Sequence, residues 1–165
     1  MSPNILFLTH LSLGYIPWLL CFGAYLWPRL KATDPLEAQR AIAMLHSFRF
    51  FGLAFLLPGV VGSHLPAGFA AFAAYGNFAT GLLAMLVLLA VRLRPLFWAS
   101  VLVFNLVGLA DIILDGYHAV RANLPAVAGE LGAMYAFLIL YVPLQLITHI
   151  AAFSLLVRAP GRQAA

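Results

Sequence analysis

The stretch "LADIILDGYH", residues 109–118, sets Asp111, Asp115 and His118 inside a long apolar run. Offsets of four and seven residues put the three on one helical face. Two carboxylates and an imidazole so placed make a polar stripe descending from outside water into the membrane, the outer vestibule a proton or cation path would need. With a second imidazole such as His10 they can also hold a hard or borderline divalent cation. The blander reading is that Asp115 and His118 are solvated near the membrane surface while Asp111 hydrogen-bonds a neighbour. No His-Glu-x-x-His signature occurs, and no metal is assigned. A carboxylate at bilayer depth costs ~2.5–3.5 kcal/mol on insertion scales, so Asp111 should face a cavity or a partner. Counting ~1.5 Å per residue from Arg94, Asp111 lies about 25 Å along its helix. Asn77, about 14 Å in from the other end of the preceding helix, is at similar depth, with Tyr75 just above it. Glu130, His64 and Arg121 fall nearer the outer surface.

A second polar set lies nearer the opposite face. Arg49 is about 13 Å from Arg40, His149 about 13 Å from Arg158 and Asn105 about 16 Å from Arg94. Gln145 is one turn further out, His46 is one turn below Arg49, and Tyr141, Gln145 and His149 form a drifting stripe. A guanidinium stays charged and needs acceptors. Asp111 is about 11 Å away in depth by the same count, so Asn105, Gln145 or a freed carbonyl is the expected partner. Two separate polar layers follow. Arg49, Asn105, Gln145, His149 and His46 are the candidate ligand-binding set; Asp111, Asp115, His118, Asn77 and His10 form the outer cluster. His46 and His149 could also be axial ligands to a haem held between two helices, although no CxxCH attachment is present. Ser47, Ser63, Ser100 and Ser154 stand in no nucleophile-elbow context.

The elements that position these groups follow from composition. Of 165 residues, 64% are hydrophobic and 8% charged, and mean hydropathy is +1.00. Soluble domains carry about 25% charged residues, so the suited solvent is a bilayer, of the bacterial inner-membrane or plasma-membrane type. The net charge of +4 comes from basic residues at the ends of apolar runs, which topology explains without nucleic acid. The single cysteine, Cys21, excludes an intrachain disulfide.

A transmembrane helix needs ~20 apolar residues, and five runs qualify: about 4–27, 38–62, 69–91, 96–120 and 130–157. The expected fold is all-α: one polytopic membrane domain over 1–165, five helices in an antiparallel bundle. With no basic n-region or cleavage site, the first run reads as a retained span. Arg29, Lys31, Arg40, Arg92, Arg94, Arg158 and Arg162 fall on one side and Arg121 on the other, placing the N-terminus outside and the C-terminus in the cytoplasm. Trp18, Trp27 and Trp98 lie near the expected interfaces. Pro17, Pro58 and Pro143 fall within the runs, each removing a backbone donor. Ala70 and Ala74, with Ala73, Asn77 and Gly81, form a small-residue strip that another helix can approach closely.

The stretch "RFFGLAFLLPG", with Arg49, Gly52, Phe55 and Gly59, resembles the start of DoxX-like membrane proteins. The following "LPAGFAAFAAYGNFATGLLAMLVLLAVRLRP", with Pro66, Phe69, Gly81 and Arg92, continues the resemblance, which covers roughly 45–155. It implies a four-helix membrane bundle linked in some members to quinone or redox chemistry, with Arg49 as a contact for a lipophilic head group. Two features depart from it: the extra helix 4–27, and Asn77 where an acidic residue is frequent.

The resulting expectation is a protein that binds a lipophilic molecule (quinone, lipid or isoprenoid) in a polar-ended intramembrane pocket, with a redox link. The alternatives are an accessory or assembly subunit partnered by a membrane complex or a second copy, a proton- or cation-coupled transporter, and a membrane enzyme using Asp111 or His149.

Overall fold

The computed structural model describes residues 2–158; the expected tail cation Arg162 lies outside them. The chain is helical throughout, with no strand among the described residues. Four helices are long and apolar enough to cross a membrane: α1, Pro3–Ala32; α3, Ala67–Arg92; α4, Arg94–Arg121; and α5, Met134–Val157. Between the first two lies α2, Pro35–Ser47, continued by a 3-10 helix, Phe48–Leu56.

Helix starts follow local chemistry. Ser2 caps α1 ahead of Pro3, its hydroxyl accepting from the Ile5 amide. Asp34 caps α2 ahead of Pro35, its carboxylate accepting from the Leu36 and Glu37 amides at 2.9 and 3.4 Å. Both use the pairing of a short polar acceptor with a proline that has no N–H to satisfy.

Prolines also shape the helix interiors. Widened π turns occupy Phe22–Leu26 and Phe137–Tyr141. Each contains the carbonyl four residues before a proline, Ala24 before Pro28 and Ile139 before Pro143, where the missing N–H and the bulky ring force the backbone apart. The second bulge is where α1 docks. Trp18 Nε1 donates to the Leu140 carbonyl at 2.7 Å, and a Cβ at Gly14 would collide with the Ile139 carbonyl oxygen. A side-chain donor from one helix thus serves the backbone of another, as a membrane interior requires.

Three boundaries differ from the sequence reading. The first helix runs on to Ala32. The second ends at Leu56 rather than near 62, and Pro58 stands in a turn rather than a helix. A residue before proline is pushed from α to extended backbone, and Leu57 is extended (φ −89°, ψ 118°). Gly59 follows at φ +85°, a conformation natural to glycine. The last helix starts at Met134 rather than 130, because Gly132 (φ +53°) separates it from a 3-10 segment, Leu124–Leu131. The two irregular loops pair: Gly62 N donates to the Glu130 carbonyl at 2.8 Å, and Ala133 N to the Val60 carbonyl at 3.0 Å.

The two larger apolar cores are built from opposite ends of the helices. One gathers Phe7, Phe55, Phe69, Leu124 and Met134; the other gathers Leu36, Ile42, Val87, Phe97 and Leu155. A third, smaller cluster joins Phe22 to Ile147 and Ala151. The small-residue strip of α3 is covered from within: Ala70, Ala73, Ala74, Asn77 and Gly81 are all buried, and a Cβ at Gly81 would meet the Phe50 backbone.

Candidate functional site

Buried polar residues fill the interval between the two larger cores on α2 with its 3-10 extension and on α3, α4 and α5. Along α2, His46 and Arg49 separate Ile42 from Phe55; along α3, Asn77 and Thr80 separate Ala74 from Ala84. Along α4, Asn105 and Asp111 follow Phe104; along α5, Gln145, Thr148 and His149 separate Ile139 from Ala152. All are buried.

Arg49 joins what was expected to be two layers into one. Its Nη2 donates to Asp111 Oδ2 in a buried ion pair, its Nε to Asn77 Oδ1 at 2.9 Å and its Nη1 to His149 Nε2 at 3.2 Å. The estimate that Asp111 lay beyond reach fails on its starting point. Helix two begins at Pro35, five residues before the Arg40 reference, so Arg49 stands about 21 Å along it at ~1.5 Å per residue. From Phe48 the chain is also 3-10, rising faster at ~2.0 Å per residue.

The hydrogen bonds fix the imidazole tautomers. Asn105 Nδ2 donates to the Val101 carbonyl (2.8 Å), leaving its Oδ1 to accept from His149 Nδ1 (2.9 Å). His149 therefore carries its proton on Nδ1 and offers Nε2 as the acceptor for Arg49. Thr148 Oγ1 spends its one proton on backbone carbonyls of its own helix, Leu144 at 2.7 Å. It accepts from His46 Nε2 at 2.8 Å, so His46 has the opposite tautomer with a bare Nδ1. The His46 and His149 rings lie 4.1 Å apart, centre to centre. That is contact distance, with no gap for a porphyrin plane, and His149 has both nitrogens engaged. The proposed axial pair does not fit a haem.

Glycines supply the space. A Cβ at Gly108 would strike the His149 imidazole, one at Gly76 the Asp111 carboxylate, and one at Gly52 the Asn77 side chain. Gly76, Gly108 and Thr148 belong to the site and carried no signal in the polar pattern. A glycine one helix away from a buried polar residue is the trace such a site leaves.

The outer cluster is brought together only in part. Asp115 accepts from Asn77 Nδ2, a long bond at 3.5 Å, so the amide expected opposite Asp111 serves Asp115 and the Ala73 carbonyl (2.8 Å). His118 lies over the Phe72 ring, centres 4.4 Å apart. His10 bonds the Tyr135 hydroxyl at 2.7 Å. Tyr75 is exposed. Among the described residues no three His, Cys, Asp or Glu side chains form a metal set.

Beside this layer is a cavity of about 300 Å³. Its walls are apolar and partly aromatic, including Phe7, Tyr15, Phe55, Phe69 and Phe137; its polar residues include Asn77, Asp115 and Gln145. Leu8 and Val120 at its rim are 55% and 79% exposed. Gln145 is fully buried; its amide oxygen has no hydrogen-bond partner among the described residues, and its amide nitrogen lies beside the Tyr141 hydroxyl. The Tyr141 hydroxyl one turn away donates to the Leu45 carbonyl at 2.6 Å. One oxygen of Asp115 is likewise buried without a donor. Of the expected ligand set, Gln145 reaches this cavity. Arg49, Asn105, His46 and His149 lie behind it, committed to one another and to the helices.

The family model of a domain of unknown function, DUF8737, matches residues 6–157, and the chain belongs to that family. No curated protein matches it. No solved structure matches it.

Proposed function

We propose that this DUF8737 member is an integral membrane protein that binds a lipophilic molecule in the cavity between α1 and α4, with the Arg49 layer as its rigid floor. In this reading α2 and its 3-10 extension make the fifth crossing, the helices alternate in direction, and the positively charged corners face the cytoplasm. The carrying observation is the cavity itself: apolar walls, an exposed apolar rim and unpartnered polar atoms at Gln145 and Asp115. Ligand sites combine a mostly apolar lining with a few fixed polar groups in this way. A rim of Leu8 and Val120 suits entry from hydrocarbon rather than from water. Quinones, isoprenoids and lipids are the candidate classes, quinone being the one the DoxX-like pattern adds. The test is a thermal-shift series on purified protein with quinone, isoprenoid and phospholipid. A saturable rise in melting temperature supports binding; no response from any class, in wild type and in a cavity-filling Gly116→Leu variant alike, argues against it.

One observation favours transport as a second reading. Arg49 makes the polar groups continuous from Asn105 to Asp115, as a proton or cation path across the interior would need. Liposome flux that Asp111→Asn abolishes would select it; flux insensitive to that change would dismiss it.

A further inference from the structure

Resting on the binding reading above, we infer that the cavity selects a lipophilic molecule with a cationic amine at its polar end. Arg49 brings one positive charge to the layer; Asp111 and Asp115, when both are ionised, bring two negative charges. His149 adds none, since its Nε2 accepts from Arg49. Arg49 pairs directly with Asp111, and Asp115 receives only the neutral amide of Asn77 at 3.5 Å. Among the described residues no other lysine or arginine bonds either carboxylate. Arg121, further along α4, stands over the Tyr117 ring at 6.0 Å. A carboxylate left without a counter-charge in an apolar cavity is costly, so Asp115 must be balanced by a proton or by a cation from outside the chain, and a ligand cation is the balance inferred here.

Gln145 points independently to a ligand. It is fully buried, lines the same cavity, and has its amide oxygen unpartnered. A primary ammonium fits these acceptors: it donates to the free Asp115 oxygen and to Gln145 Oε1. The aromatic rings of Phe7, Phe55, Phe69 and Phe137 in the walls add faces favourable to a cation.

The experiment compares dodecylamine, dodecanol and dodecanoate as binders of the purified full chain in nanodiscs, read by thermal shift and isothermal titration. The expected result is saturable amine binding, weaker or absent binding of the alcohol and acid, and loss of roughly tenfold or more in amine affinity in Asp115→Asn. Gly116→Leu is the second variant. Gly116 lines the cavity and a Cβ there meets nothing within 4 Å, so a leucine is accommodated without a clash, and crowding of the cavity mouth should weaken binding. Alcohol binding as tight as amine binding, unchanged in Asp115→Asn, overturns the amine inference and leaves lipophilic binding standing, with a proton rather than a ligand balancing Asp115. If none of the three probes nor the quinone, isoprenoid and phospholipid series binds, both readings fall together.

Discussion

Arg49 and Asp111 form an ion pair between the 3-10 extension of α2 and α4, the side chains 0% and 3% exposed. Burying two charges yields little net stability, but removing one partner strands the other in a medium that cannot solvate it. Arg49→Met or Asp111→Leu alone should therefore destabilise the protein by ~3–5 kcal/mol. The double variant should recover a large part of that loss. Unfolding in detergent, analysed as a double-mutant cycle, measures the coupling; additive losses would mean the pair acts independently.

How much of this was legible in the sequence depends on which residues are considered. The identities of Arg49, Asn105, Asp111 and His149 stood out because polar groups are rare in apolar runs. Their connection did not, because depth counted in residues inherits any error in the chosen helix start. Asp34 and Pro35 carried the cap signal that would have moved the depth reference for α2 five residues upstream of Arg40, closing most of the gap to Asp111. Pro58 was likewise readable as a stop, given how proline restricts the residue before it. The partition of the outer cluster was not readable. His118 and Asp115 share a face of α4, and which of them turns to Phe72 or to Asn77 is set by the neighbouring helix.

Gly108 faces the His149 imidazole and Gly76 faces the Asp111 carboxylate, with no room for a methyl group at either. Gly108→Ala and Gly76→Ala should each lower stability by ~1–3 kcal/mol through overpacking, against the gain alanine brings inside a helix. Gly116→Ala, facing open space, is the control and should be neutral or stabilising. Thermal melting of the three variants decides it; equal behaviour would contradict the tight packing of the polar layer.

The tautomer assignment is testable without mutation. Nitrogen-15 NMR of histidine-labelled protein should show His149 protonated at Nδ1 and His46 at Nε2. Asn105→Leu removes the acceptor that holds the His149 proton and should redistribute its tautomers while leaving His46 unchanged. The reverse pattern in wild type would break the chain of donors running from Arg49 to Val101.

Trp18 reaches the Leu140 carbonyl in the widened turn before Pro143. Trp18→Phe keeps an aromatic body and loses the donor, and should cost ~0.5–1.5 kcal/mol, or up to ~3 kcal/mol if the carbonyl is left unsatisfied. Restoring a normal α turn with Pro143→Ala should reduce that penalty. A Trp18→Phe loss of the same size in both backgrounds would show that the bulge and the indole are unrelated.

The proposed orientation predicts opposite labelling of two positions. In a Cys21→Ala background, a cysteine at Ser2 should react with a membrane-impermeant maleimide on intact cells, and one at Leu93 only after permeabilisation.

The most direct test of the binding claim is quantitative mass spectrometry of the lipids and small molecules that co-purify with wild type and with Gly116→Leu. The expected result is one lipophilic species near one-to-one stoichiometry with wild type and depleted in the variant. Identical extracts from the two proteins, matching the bulk membrane composition, would contradict it.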